Sequence, residues 1–342
     1  MGRYPPSLLV ACLVVCAHGL IGLQLRSRTR GLGELAGKQF SRARLYSTPT
    51  DESSLWKDRV EFVDLASVPL EPSPTARPLP LFLLGGSFFP EGVTVLNVFE
   101  MKYRTMMFDC ANGDDMFGYF YTDGSGRIGS IGTMCKIVDR RLLEDGRQII
   151  QIEGVGRCKI RRILKTLPYV QAEVEPFVVD EAPTGGEAAA TKLEMEVWDA
   201  VKYYMRLMRS YEPNKDMVVT SSLKRSRPTR DCEADPRNAQ RRTSFSFALA
   251  NMISMSHAAE SQLMLQTTNV MKRLRAEKMI LTQAAEGIAE QLIAMNLISA
   301  AVRDGIKART SATDDDEDVL PRDTLQKVVT QEKDEWDISN IE

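Results

Sequence analysis

The chain has 342 residues, a formal net charge of -2 and 43% apolar residues, which is the usual content of a soluble globular protein. A net charge this close to zero gives no overall argument for nucleic-acid binding. The six cysteines include no C-x-x-C pair and there are only two histidines, so the composition disfavours a zinc ribbon, a disulfide framework and histidine-based chemistry.

Two targeting patterns follow each other at the start of the chain. Arg3, the apolar run 8–17 and the small-residue site 17–19 are typical of a signal peptide, and the run is too short to span a membrane. The next segment is rich in Arg and Ser and poor in acidic residues, as transit peptides are. We predict that residues 1–50 are a cleaved two-part leader for a plastid, with mitochondrial import or secretion as alternatives. Residues 51–77 are predicted to be a linker.

The region after the linker predicts a strand, a turn, a second strand and a short helix. Apolar residues alternate over 79–83, and Pro90-Glu91-Gly92 supplies a turn. Val93 begins a β-prone run. One face of the following helix carries residues at the spacing of a buried core: Phe99, Tyr103, Met106 and Cys110.

Further short strands are predicted up to residue 174, which together suggest a small, curved sheet or barrel. Asp145-Gly146 predicts a hairpin turn, and Gly154 with Gly156 predicts a bulge or sharp bend. The sequence 124–129 matches G-x-G-x-x-G. Because a strand-like run follows it instead of a helix, we interpret it as a turn and expect no nucleotide.

The second half of the chain is predicted to be helical. Helical periodicity covers 187–209, is interrupted by a basic, proline-containing segment, 211–242, that we predict to be a disordered insert, and resumes at Ser244. The longest helix is expected over 268–297, with apolar residues every seven positions. That seam lasts about three heptads, so packing against neighbouring helices is favoured over dimerisation. The acidic end, 301–342, is predicted to be a disordered tail.

Seven short motifs, in order and at consistent spacing, give the chain a family resemblance. They are LPLF at 79, FFPEG at 88, FExxYRxM at 99, FGYF at 117, IGTMCKIV at 131, EDGRQIIQIEGVGRCKI at 144 and PYVQAEVE at 168. Together they resemble the amino-terminal, substrate-binding domain of Lon proteases, closely over 79–175 and more loosely to 297. Leu83-Leu84-Gly85 lacks the family's usual Pro, and Asn97 and Met101 replace a common His and Pro.

The resemblance implies an α+β fold. A PUA-like small β-barrel subdomain at 78–180 would be followed by an α-helical bundle at 187–300 with a long C-terminal helix. The sequence contains no Walker A loop, and its length leaves no room for an ATPase module and a Ser-Lys peptidase.

The expected protein is therefore a stand-alone substrate-binding-domain protein and not an enzyme. The resemblance implies that it binds unfolded or damaged polypeptide, as a passive chaperone or as an adaptor for a separate protease. No catalytic residue, cofactor or metal is expected.

The candidate contacts for polypeptide are Phe88 and Phe89, which lie in a loop bounded by Gly and Pro. Consecutive side chains of an extended segment point in opposite directions, so one ring can be buried while the other is exposed. The alternative is that both pack under the sheet.

The second function considered is RNA binding through the barrel. Arg157, Lys159 and Arg161 alternate along a strand and are extended by Arg162, which would give a basic face for phosphates. No aromatic residue interleaves with them to stack bases, so we favour a solvent-exposed basic face over an RNA-binding site.

Overall fold

The computed structural model of the protein describes residues 59–63, 73–177, 180–211, 220–229, 237–253 and 258–312. The predicted leader and the acidic part of the predicted tail lie outside these residues, and the predictions for them stay predictions.

Six strands form one mixed sheet: β1 (Arg77–Leu84), β2 (Val93–Val98), β3 (Met116–Tyr121), β4 (Ile131–Leu142), β5 (Gln148–Lys165) and β6 (Gln171–Pro176). Their order is β2-β5-β4-β3-β1-β6, and β6 also pairs with β5. The pairing of β6 with both β1 and β5 makes the sheet strongly curved, while β2 extends it beside the first half of β5.

The long hairpin of β4 and β5 forms where the sequence predicts it. Its turn closes with the N–H of Gly146 donating to the carbonyl of Leu143, and Gly146 has a φ of 79°, which glycine adopts without strain. The pairing register shifts between Gly156 and Gly154, which leaves Val155 as the extra residue. The predicted bulge is therefore confirmed, and it lets β5 turn from β2 to β6.

One helix, α1 (Met101–Ala111), lies between β2 and β3 in the chain. Its buried face contains Tyr103, Met106, Met107 and Cys110. The Tyr103 hydroxyl donates to the carbonyl of Leu83 and accepts from its N–H, which fastens the helix to the end of β1. Phe99 precedes the helix and is exposed, so the expectation that it shares the buried face is wrong.

Six further helices complete the described fold: α2 (Gly186–Tyr211), α3 (Ser221–Ser226), α4 (Asn238–Met252), α5 (Ala258–Gln266), α6 (Val270–Ala294) and α7 (Ala300–Ala312). The long helices α2 and α6 pack against each other. Leu274 and Leu281 of the heptad seam share a core with Val197 and Val201 of α2. The α+β architecture and the intramolecular use of the seam are confirmed.

Two segments predicted to be disordered contain helices. Within 211–242, α3 forms because Leu223 is fully buried and because Thr220 caps the helix by accepting a hydrogen bond from the Leu223 N–H. The same range includes the first turn of α4. The predicted tail begins with α7, where Val302 and Ile306 pack against α2 and α6. These buried apolar residues lie in polar segments of the sequence, which is why the segments were predicted to be disordered.

No helix in the described ranges is long and apolar enough to cross a bilayer.

Candidate functional site

The two aromatic residues expected to contact polypeptide are both buried. Phe88 is 8% exposed and its ring lies 5.6 Å from that of Tyr119 in the core under the sheet. Phe89 is 4% exposed and turns the other way, where it stacks on Phe247 of α4 at 6.3 Å. The rings do point in opposite directions, but α4 covers the second side. Both rings are therefore buried, which is the second of the two alternatives, although α4 and not the sheet covers Phe89. Polypeptide binding by Phe88 and Phe89 stays a prediction.

The loop that holds these rings, 88–92, joins the sheet to the helices. The Glu91 carboxylate accepts hydrogen bonds from the hydroxyls of Ser222 in α3, at 2.5 Å, and Ser244 in α4, at 2.8 Å. Glu91 has a φ of 65°, a strained conformation for a residue with a side chain, and these two bonds hold it there. Asn251 of α4 donates to the main-chain carbonyl that precedes Glu91.

Two glycines allow this close approach. A Cβ on Gly92 would lie 2.4 Å from the Asn251 side-chain oxygen, and one on Gly154 would lie 2.5 Å from the carbonyl oxygen of Phe89. The 88–92 loop is therefore a structural junction, and its sequence is explained by the contacts it makes with the helices.

A buried charge network forms a second junction. Asp180 accepts from Arg157 of β5 at 2.9 Å and from Arg273 of α6 at 2.9 and 2.5 Å, and all three side chains are at least nine-tenths buried. Burial lowers the pKa of Arg157 to about 10. Burial also acts to raise the pKa of Asp180, but the hydrogen bonds and charges of the two arginines outweigh it and lower that pKa. Arg157 is thus a structural residue and not part of a solvent-facing basic strand.

A second acid, Glu277 of α6, is fully buried beside this network. One carboxyl oxygen accepts from the Ser246 hydroxyl at 2.8 Å, and that hydroxyl accepts from Arg273 at 3.0 Å. The other carboxyl oxygen has no hydrogen-bond partner among the described residues. Burial raises the pKa of Glu277 to about 8, so the group is mostly protonated at neutral pH.

The other cations of the predicted basic strand are paired with carboxylates. Lys159 lies 2.9 Å from Glu61, and Arg161 lies 2.6 Å from Glu175. Arg162 pairs with Glu173. These pairs neutralise the strand locally, which weakens the case for phosphate binding there.

A polar cleft of about 420 Å³ lies where the 88–92 loop meets α3 and α4. Its lining comprises Glu91, Ser222, Arg225, Ser226, Arg237, Gln240, Arg241 and Ser244. Arg241 is already held by Glu194 at 2.7 Å. Since apolar residues do not line this cleft, it does not suit the apolar segments that an unfolded chain exposes.

An exposed apolar surface does occur at the other end of β2. It comprises four large side chains, each 64–70% exposed, and we call it the α1 patch: Phe99, Met101, Phe108 and Leu142. Met101 and Phe108 are seven residues apart and therefore lie on the same outer face of α1. Groups of exposed large apolar residues are characteristic of interaction sites.

The sheet places Leu142 in the same row of paired residues as Val98, which directly precedes Phe99. Val98, Gln148 and Leu142 pair in one row across β2, β5 and β4. The Gln148 side chain donates to the main-chain carbonyl of Arg104 in α1, which fixes the hairpin tip against the helix. The patch is thus held by a strand end, a helix and a hairpin. The sequence does place Met101 and Phe108 opposite the buried face of α1. This spacing predicts the patch only once the helix is known to extend over both residues.

Three cysteine thiols are buried in the described part of the chain. Among the described residues, cysteine and carboxylate side chains form no group that could hold a metal ion. The free thiols of Cys110, Cys135 and Cys158 are buried, and burial raises the pKa of Cys110 to about 12, so it stays protonated and unreactive.

Comparison with known families matches residues 78–283 to the ATP-dependent protease La (LON) substrate-binding domain. That range spans the whole sheet and the helices to the middle of α6. The chain belongs to the LON substrate-binding domain family.

Two solved structures of Lon N-terminal domains are similar to this chain. A Lon N-terminal domain protein from Xanthomonas campestris is 20% identical, with a TM-score of 0.38 over 58% of this chain and 96% of its own. The N-terminal domain of the Lon protease of Mycobacterium avium complex is 17% identical, with a TM-score of 0.42 over 60% of this chain and 98% of its own.

Within this LON substrate-binding domain, the motifs that carried the resemblance serve different purposes. FFPEG supplies the 88–92 junction. FExxYRxM supplies the buried Tyr103 and Met106 and, through its first residue, one member of the α1 patch. The family pattern is therefore structural in part, and Phe99 is one exposed apolar residue within it.

Proposed function

We propose that this LON substrate-binding domain binds unfolded polypeptide through the α1 patch, without covalent chemistry. The observation that carries the proposal is the exposure of four large apolar side chains on three neighbouring parts of the fold, namely the end of β2, the helix α1 and the end of β4. Family membership supports substrate binding in general. The structure adds a surface that suits the apolar segments exposed by a damaged or unfolded chain.

The patch suits weak and reversible binding. Covering the exposed part of one such side chain contributes about 1–2 kcal/mol, so four contribute on the order of 4–8 kcal/mol before the costs of association. Such a surface gives affinities no tighter than the micromolar range and needs no particular client sequence. A passive holding role fits this range. Transfer of the client to a separate protease would make the protein an adaptor, and a pull-down from the native compartment distinguishes the two.

RNA binding is the alternative, and salt dependence separates it from polypeptide binding. We would measure the affinity of the full chain for a denatured model polypeptide and for single-stranded RNA, each from 50 to 500 mM salt. Apolar binding to the polypeptide should change little with salt, while phosphate-dominated binding weakens steeply. Tight, salt-sensitive binding to RNA with none to the polypeptide would contradict the proposal.

The absence of covalent chemistry is tested in the same samples. We expect no release of phosphate from ATP and no cleavage of the bound polypeptide during prolonged incubation. Suppression of aggregation of the denatured polypeptide should occur without ATP.

A further inference from the structure

The strand β2 forms an open edge of the sheet within the described residues. It pairs with β5 along its length, from Val93 opposite Glu153 to Val98 opposite Gln148, and β5 is its one pairing partner there. An edge strand presents unpaired main-chain donors and acceptors that another extended chain can pair with.

The hydrogen-bonding pattern identifies which main-chain groups face outward. The N–H of Gly154 donates to the carbonyl of Gly92, so this opposed pair is of the hydrogen-bonded type. Such pairs alternate with non-hydrogen-bonded pairs in an antiparallel ladder. Val93, Val95 and Asn97 therefore direct their N–H and C=O groups away from β5. None of these groups has a hydrogen-bond partner in the described part of the chain.

The sequence of this edge lacks the features that normally prevent strand addition. The strand reads VTVLNV and contains no Pro, Lys, Arg or acidic residue. Proteins usually protect exposed edges with charges, prolines or bulges. The bulge here lies at Glu91 and Gly92, before the strand begins, so it leaves 93–97 regular.

We propose that an extended segment of an unfolded polypeptide adds to β2 as a further strand. This inference rests on the proposed function and names how the same partner is held. An outward row of main-chain donors and acceptors is complementary to another main chain in extended form, whatever its side chains are. A recognition mode of this kind fits a module whose clients share no sequence.

The position of β2 links the edge to the α1 patch. β2 ends at Val98, and Phe99 and Met101 follow at once. Six paired residues span about 20 Å, so a client strand that runs along β2 arrives directly at the patch. Main-chain bonds along β2 hold the segment, and the exposed side chains of the patch select apolar residues at its end.

Position 95 offers a direct test. In Val95→Pro the outward N–H is lost while the ladder to β5 keeps all its bonds, because the N–H of residue 95 does not face β5. Proline is tolerated at edge positions of this type. The matched control, Val95→Ala, shortens the side chain and keeps the N–H. We expect Val95→Pro to bind a denatured model polypeptide about tenfold more weakly than Val95→Ala. The variant loses one main-chain hydrogen bond to the added strand, and the proline ring hinders the strand from pairing closely at that position.

A second test uses the wild-type chain and an eight-residue peptide of alternating apolar and polar residues. One form is N-methylated at odd positions and the other at even positions, so each blocks one edge of the peptide strand. Strand addition predicts that a single form loses binding at least tenfold. Equal affinity of both forms would overturn the inference.

The two proposals fail in different ways. If wild type binds the denatured polypeptide and the proline and alanine variants bind equally well, strand addition is wrong and the proposed function stands. If wild type does not bind the polypeptide, the proposed function is wrong and strand addition falls with it.

Discussion

The replacement of Glu277 by Gln tests the account of the buried core most sharply. The carboxyl group is fully buried, accepts one hydrogen bond from Ser246 and lies near Arg273 of the charge network. A glutamine side chain has the same shape and can accept the same bond. What it removes is the cost of protonating a carboxylate in order to bury it.

The sign and size follow from the pKa of Glu277. Its value is raised from 4.5 to about 8 in the folded chain, chiefly by burial. The folded state therefore binds more protons than the unfolded state between these limits, and the contribution to stability is full below pH 4.5 and is lost as pH rises toward 8. The loss is about 1.4 kcal/mol per pH unit, so it amounts to about 3 kcal/mol at pH 7.

Urea unfolding of wild type and Glu277→Gln between pH 4.5 and 8 measures this difference. We expect the variant to equal wild type near pH 4.5 and to be more stable by about 3 kcal/mol at pH 7. Glu290→Gln, on the exposed side of the same helix, is the control and should shift stability by less than about 0.5 kcal/mol at every pH. A difference between Glu277→Gln and wild type that does not change with pH would refute the reasoning.

Three further predictions follow from the junctions and the leader. Gly92→Ala should destabilise the fold by on the order of 1–3 kcal/mol, because its Cβ would overlap a side chain of α4, while Gly86→Ala, with open space around it, should change little by thermal unfolding. Asp180→Ala should cost about 3–5 kcal/mol in the same urea titration, because it leaves two arginines buried without their carboxylate. The control Asp145→Ala removes an exposed ion pair and should change stability far less. Residues 1–50 fused to a fluorescent protein should direct it into a plastid, and fluorescence that stays in the cytosol would contradict the two-part leader.

Local features of the fold could be predicted from the sequence where glycine or periodicity determines them. Asp145-Gly146 and the pair Gly154 and Gly156 located the hairpin and the bulge, because few other residues adopt those conformations without cost. The heptad positions of α6 located its buried face, because a helix needs an apolar stripe to pack against another helix, whichever part of the chain supplies that helix.

The candidate site was harder to predict from the sequence, because the burial of a side chain depends on partners that are distant in the chain. Phe89 is covered by Phe247, 158 residues later, and Arg157 is buried by Asp180 and Arg273. The sequence around Phe89 or Arg157 carries no sign of these partners. The α1 patch required the opposite information, namely that no described element covers Phe99 and Phe108.

The most direct test of the central claim is the affinity of the full chain for a fluorescently labelled, denatured polypeptide. The comparison is between wild type, the double variant Phe99→Ser/Phe108→Ser, and the control Leu297→Ser, which alters an exposed apolar residue after α6. Circular dichroism and unfolding curves first establish that all three fold alike. Removing two patch side chains should weaken binding by about 30- to 900-fold, from about 1–2 kcal/mol lost at each, while the control should match wild type. Equal binding by wild type and the double variant would contradict the claim that the α1 patch holds the polypeptide.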